Sequence, residues 1–185
     1  RCASRQRSDM TNQPRTDARV TLILGGARSG KSRLAENLAE RHGGRLVYVA
    51  TAEPWDDEMR ARIAQHKMRR GDRWSTIEAP LAVAEVLLAL PEQTGVVLID
   101  CLTLWLSNLM HAPRDVEREQ EGLLAALSAT ACPVILVSNE VGLGIVPENK
   151  LARDFRDLQG RLNQRVAELA DHVIFTAAGL PLVLK

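Results

Sequence analysis

The chain has 185 residues, 45% of them apolar and 25% charged, a size and composition that suit one globular domain with a sizeable core. Its formal net charge of +1 gives no electrostatic case for a nucleic-acid or anionic-membrane partner. The three cysteines, Cys2, Cys101 and Cys132, form no CxxC or Cys/His ligand spacing, so neither a disulfide framework nor a zinc site is indicated and a reducing cytoplasm is the expected setting.

Residues 1–18 are polar and Arg-rich with almost nothing to bury, and are expected to be a disordered leader ahead of a single nucleotide-binding catalytic domain at 19–185. The apolar run at 20–24 predicts a strand. Directly after it Gly25, Gly26, Ala27, Arg28, Ser29, Gly30, Lys31 and Ser32 spell a complete Gly-x-x-x-x-Gly-Lys-Ser phosphate loop, and residues 33–41 continue as an amphipathic helix. Strand, loop and helix in that order are what the motif requires, because backbone N–H groups and the helix N-terminus must face one polyphosphate. The glycines let the backbone approach the phosphate oxygens. Lys31 is placed to reach the β and γ phosphates, and Ser32 to join the coordination of a bridging Mg²⁺.

Residues 46–50 predict a second strand, followed by a helix over 56–70 whose acidic first turn and basic last turn match the helix dipole. Met59, Ile63 and His66 share one face of that helix by spacing. A histidine on an apolar stripe serves either as a hydrogen-bonded packing residue or as a catalyst, and periodicity leaves both readings open. A short helix is expected at 81–90, then a buried strand at 96–99 ending in Asp100. Four apolar residues closing on an acid resemble a Walker B strand, where the carboxylate holds Mg²⁺ opposite Ser32. The competing role for Asp100 is the N-cap of the next helix, at 102–110. A helix at 116–131, a strand at 134–138 leading into Asn139 and Glu140, a helix at 150–170 and a last strand at 173–176 before a Gly-Leu-Pro turn complete the pattern. Short apolar runs alternating with amphipathic segments predict an α/β fold of the P-loop NTPase type, with a mainly parallel sheet flanked by helices. No apolar run approaches the roughly 18 residues that cross a bilayer, so no membrane insertion is expected. With aromatic residues at only 3% and no aromatic-and-basic cluster, nucleic-acid binding is not expected either.

Four segments, GGARSGKSRLAE, YVATAEPWDDEMRARIAQHKMRR, VVLIDCLTLWLSNL and VSNEVGLGIVPENKLARDFRDLQGRLNQRVAELAD, resemble successive signatures of the bifunctional adenosylcobinamide kinase/adenosylcobinamide-phosphate guanylyltransferase family of cobalamin biosynthesis. The Asn-Glu-Val-Gly-x-Gly-Ile-Val-Pro-Glu block carries most of the specificity. The resemblance implies a RecA-like sheet topology, a cytoplasmic homo-oligomer, a trimer in this family, and two reactions. In the first, ATP or GTP phosphorylates the aminopropanol hydroxyl of adenosylcobinamide. In the second, GMP passes from GTP to that phosphate with release of pyrophosphate. It also implies that His66 is the covalent nucleophile, and that Ala50, Thr51, Ala52, Lys67, Met68, Arg69, Arg70, Glu78 and Asp100 lie where the family contacts guanine nucleotide. Two rival functions stay open at this point: a P-loop kinase of another small molecule without guanylyl transfer, and a non-catalytic nucleotide switch.

Overall fold

The computed structural model describes residues 18–53 and 72–185. The helix expected over 56–70, with His66, Lys67, Met68, Arg69 and Arg70, and residues 1–17 of the leader expected at 1–18 lie outside the described residues. Seven strands form one sheet: β1 (Val20–Gly25), β2 (Arg45–Ala50), β3 (Trp74–Glu78), β4 (Thr94–Asp100), β5 (Val134–Asn139), β6 (His172–Ala177) and β7 (Leu180–Val183). Five helices are described: α1 (Lys31–Ala39), α2 (Val83–Leu88), α3 (Leu102–His111), α4 (Val116–Ala129) and α5 (Lys150–Leu169). The strand order is β3-β2-β4-β5-β1-β6-β7. All neighbours are parallel except the β6–β7 pair.

The central strands β1, β2, β4 and β5 are near-continuous apolar runs because both faces of the sheet are covered. Alternate residues divide them between two cores. Val97, Ile99, Val134 and Leu136 face one side with Trp105, Leu106, Leu123, Leu127, Leu162 and Val166 from α3, α4 and α5. Val96, Leu98, Ile135 and Val137 face the other with Ala35, Leu38 and Ala39 from α1. By the same alternation Asp100 and Asn139 fall on the α1 side of the sheet, and Ser138 on the α5 side.

The strands expected at 20–24, 46–50, 96–99 and 134–138 are present, each extended by one to three residues. Two strands escaped prediction. β3 is a polar, half-exposed edge strand, and β7 occupies the segment read as a Gly-Leu-Pro turn, so β6 is not the last strand. Pro181 lies in β7 without disrupting the sheet because an edge strand can dispense with one N–H donor. The helix expected at 81–90 is shorter, Val83–Leu88.

Candidate active site

In a parallel sheet the carboxyl ends of the strands gather loops along one edge, where open α/β sheets place their chemistry. β1 delivers the phosphate loop to this edge and α1 leaves from it. Gly25 has φ 151° and Gly30 φ 98°, conformations in which a side chain is strained. A Cβ on Gly25 would lie 2.3 Å from the Thr176 carbonyl oxygen, so β6 packs against the loop's first turn. The β6–β7 turn supports it further along, through a Gly179 N–H to Ser29 carbonyl hydrogen bond of 2.9 Å. Gly30 is the N-cap of α1 and supplies no side-chain cap, so no capping side chain covers the helix's first amides and they face the loop.

Lys31 is buried at 6% exposure, and its Nζ donates to the Gly26 carbonyl at 2.6 Å. Burial lowers its pKa from the ordinary 10.5, while the nearby Cys101 and Asp100 oppose that shift by favouring the ammonium. Asp100, at the end of β4, accepts a 3.2 Å hydrogen bond from the Tyr48 hydroxyl. Tyr48 carried no functional signal in the sequence, since an aromatic residue inside an apolar run reads as core. The capping role for Asp100 is not what the structure shows: Cys101 is the N-cap of α3, and no side-chain cap hydrogen bond is made. Burial raises the Cys101 thiol pKa to about 11, so its pull on the Lys31 ammonium applies only where the thiol ionises.

Ala50, Thr51 and Ala52 follow β2 onto the same edge. Thr51 is fully buried. Its hydroxyl donates to the Cys101 carbonyl and accepts from the Cys101 N–H, both at 2.7 Å, while Asn108 Nδ2 donates to its carbonyl at 2.8 Å. The Thr51 side chain therefore ties the ends of β2 and β4 together, and the small Ala50 and Ala52 flank it. Glu78 ends β3 opposite Ala50 in register and is exposed. Asn139 ends β5 opposite Gly25, and the next N–H, of Glu140, donates to the Gly25 carbonyl at 3.0 Å. The edge thus brings together Gly25 to Ser32, Ala50 to Ala52, Glu78, Asp100 and Asn139.

Among the described residues no cluster of three or more His, Cys, Asp or Glu could hold a metal ion on its own. Ser32 and Asp100 are hard oxygen donors of the kind Mg²⁺ takes alongside phosphate oxygens. Asp100 ends β4, one strand removed from β1 and its phosphate loop, on the α1 face of the same sheet edge, so the chemistry of this donor pair suits the ion.

A parallel sheet with a glycine-rich phosphate loop between its first strand and first helix, and an acidic strand end beside it, defines a P-loop nucleotide-binding protein. The KaiC-like protein PH0186 of Pyrococcus horikoshii OT3 shares this RecA-like fold, with a TM-score of 0.50 and 17% identity over 84% of this chain and 69% of that one. Residues 21–184 match the family described as cobinamide kinase / cobinamide phosphate guanyltransferase, and the chain belongs to it. It is 51% identical to the bifunctional adenosylcobalamin biosynthesis protein CobP of Pseudomonas aeruginosa, over 89% of this chain and 96% of that one. It is 40% identical to the bifunctional adenosylcobalamin biosynthesis protein CobU of Salmonella typhimurium, over 90% and 99%.

Proposed function

We infer that this chain phosphorylates the aminopropanol hydroxyl of adenosylcobinamide and then joins GMP to the new phosphate, giving adenosylcobinamide-GDP. One observation carries the reading: a complete phosphate loop with a buried Lys31, in a chain matched to this family from residue 21 to 184. In the first step the hydroxyl oxygen bonds to the γ-phosphorus of ATP or GTP and gives up its proton to solvent, and the bond to the β–γ bridging oxygen breaks with release of the nucleoside diphosphate. Little covalent chemistry is asked of the protein in phosphoryl transfer, so positioning and charge stabilisation do most of the catalysis. Backbone N–H groups from Gly26 to Ser32 and the α1 N-terminus orient the triphosphate. Lys31 carries a charge already largely stripped of water, so its interaction with developing negative charge is stronger than in solvent. Ser32 and Asp100 would hold Mg²⁺, which when bound neutralises charge on the β and γ phosphates.

In the second step a ring nitrogen of His66 bonds to the α-phosphorus of GTP and pyrophosphate leaves. An oxygen of adenosylcobinamide phosphate then displaces the histidine from the guanylyl phosphorus. Lys67, Met68, Arg69, Arg70, Glu78, Ala50, Thr51 and Ala52 complete the nucleotide contacts in this reading. The same resemblance proposes a homotrimer in the cytoplasm, for which sedimentation equilibrium should return three times the chain mass. No helix among the described residues is long and apolar enough to cross a membrane.

The test is incubation with α-labelled and γ-labelled GTP, with and without adenosylcobinamide. The γ label should move to the corrinoid, and the α label first to the protein and then to the corrinoid. Replacing Lys31 by Ala should depress both transfers together by roughly a hundredfold or more, the scale on which a preorganised charge contributes. A small-molecule kinase of another kind would never carry the α label, and a nucleotide switch would carry neither. A folded Lys31→Ala protein with normal turnover would overturn the phosphate-loop assignment.

A further inference from the structure

Behind the catalytic edge, on the opposite face of β5, lies a polar cluster inside an otherwise apolar core. Ser138 and Gln159 are fully buried and Asn163 is 6% exposed. Ser138 Oγ donates to Asn163 Oδ1 at 2.7 Å. Gln159 Nε2 donates to Ser138 Oγ at 2.9 Å and to Asn163 Oδ1 at 3.0 Å. Asn163 Nδ2 donates to the Asn139 carbonyl at 3.1 Å. From α3, the Thr103 hydroxyl accepts the Asn139 N–H at 2.7 Å. Both backbone polar groups of Asn139 are therefore held by side chains, one from α3 and one from α5. The arrangement has a cost, since Gln159 Oε1 is buried with no hydrogen-bond partner, and an apolar side chain there would avoid it.

What the cluster fixes is the position of one residue. Asn139 ends the strand that lies between β1, which carries the phosphate loop, and β4, which carries Asp100. Asp100 pairs in register with Val137 and Gly25 with Asn139. Strand alternation puts the Asn139 side chain on the α1 face with Asp100, while Ser138 points back into the clamp. A carboxamide offers an N–H₂ donor without charge, which can meet a transferred phosphoryl oxygen without competing for the cation.

We propose that Asn139 is a further catalytic residue, donating from its carboxamide to the transferred γ-phosphoryl group, and that Ser138, Gln159 and Asn163 are the buried clamp that positions it. The inference rests on the kinase reading above. A substrate hydrogen bond made mainly in the transition state should appear in kcat rather than in nucleotide KM. Asn139→Ala should lower kinase kcat by about tenfold to a hundredfold while KM for the nucleotide stays within about threefold. Asn139→Asp, of equal size but carrying an anion instead of a donor, should lower it at least as far.

The clamp is tested by a double-mutant cycle. Gln159→Met and, separately, Ser138→Ala should each lower kcat in the wild-type background and add almost nothing in the Asn139→Ala background, because a residue that acts through Asn139 has nothing left to position. A purely structural role moves the melting temperature and leaves the kcat losses additive. Ser138→Ala removes only one oxygen, so the cycle can be completed even if Gln159→Met fails to fold. Asn139→Ala with kcat within twofold of wild type overturns the proposal, and additive losses overturn the clamp. A wild-type chain that phosphorylates adenosylcobinamide, an inactive Lys31→Ala and a normal Asn139→Ala would refute this inference alone. A wild-type chain without kinase activity would refute the site reading together with it.

Discussion

A methyl group placed on Gly25 would stand 2.3 Å from the Thr176 carbonyl oxygen, while one placed on Gly26 would meet nothing within 4 Å. The two glycines are adjacent in one motif, yet the protein itself constrains only the first. Gly25→Ala adds a clash with backbone to a φ of 151°, and should destabilise the fold by about 1–3 kcal/mol, the usual range for overpacking a tight site. Gly26→Ala should leave the unfolding midpoint unchanged and instead weaken nucleotide binding, since the loop's amides must come close to phosphate oxygens. Urea unfolding and nucleotide titration of both variants separate the two effects, and an unstable Gly26→Ala protein would contradict the geometry. Asp100 allows a similar separation. It does not cap α3, and Asn can still accept from Tyr48, so the stability cost of Asp100→Asn should come from the charge lost near Lys31 and stay at about 1 kcal/mol. Kinase turnover should fall by roughly tenfold to a hundredfold if the carboxylate carries charge for the cation and nucleotide. An active but less stable Asp100→Asn enzyme would restore the capping role. The places of Lys31, Ser32 and Asp100 at the sheet's carboxyl edge were readable in the sequence, because the first two follow a strand in a motif of fixed spacing and the third closes an apolar strand. The hydroxyl of Tyr48 was not, because its partner is 52 positions away.

Elements were legible in proportion to how much they bury. The central strands show as unbroken apolar runs, whereas β3 and β7 are edges with no fully buried residue, and an edge strand leaves little periodic trace. In α5, Gln159, Leu162, Asn163 and Val166 form one buried stripe at helical spacing; the two polar members are the visible sign of an internal network, but their partner Ser138 comes from another element. The β6–β7 hairpin shows how local chemistry can conflict with a useful position. Ala177 pairs with Leu180, so the turn residues are Ala178 at φ 52° and Gly179 at φ 79°, both left-handed as in a type I′ turn. Gly suits that conformation, Ala does not, and Asn-Gly is the preferred pair. Ala178→Asn should therefore raise stability by up to about 1 kcal/mol, within the strain a left-handed L-residue carries. Because Gly179 bonds to Ser29 of the phosphate loop, the gain should come without loss of kinase activity. A lower melting temperature for Ala178→Asn would show that the turn is held by contacts the dihedrals do not reveal.

At the scale of the whole molecule the question is how one short chain runs two different transfers from one phosphate cradle. Phosphoryl transfer needs a hydroxyl at the γ-phosphorus, and guanylyl transfer needs a nucleophile at the α-phosphorus of the same kind of ligand. In the proposed reading the sheet supplies the shared part at its carboxyl edge, through Gly25 to Ser32 and Asp100. The second nucleophile must come from a segment that leaves that edge, and the chain does leave it at Ala50 to Glu53, at the end of β2, before the stretch that contains His66. Fold and phosphate loop were legible from pattern alone; the assignment of the second transfer to His66 rests on the resemblance, because helical spacing could not decide between a packing histidine and a nucleophile. The expected outcome is that the two activities separate. His66→Ala should abolish GMP transfer and protein labelling by α-labelled GTP while leaving nucleotide binding, and phosphorylation of adenosylcobinamide, within a few-fold of wild type. A ring nitrogen must be unprotonated to attack phosphorus, so labelling should fade as pH drops below the ordinary imidazole value of about 6.5. The bond formed is a phosphoramidate, so the label should be lost in acid and survive mild base. Mass spectrometry of the GTP-treated protein fixes the site: GMP on Lys67, or on no residue while GMP transfer proceeds, would remove His66 from the mechanism and leave the phosphate loop's role in the kinase step standing.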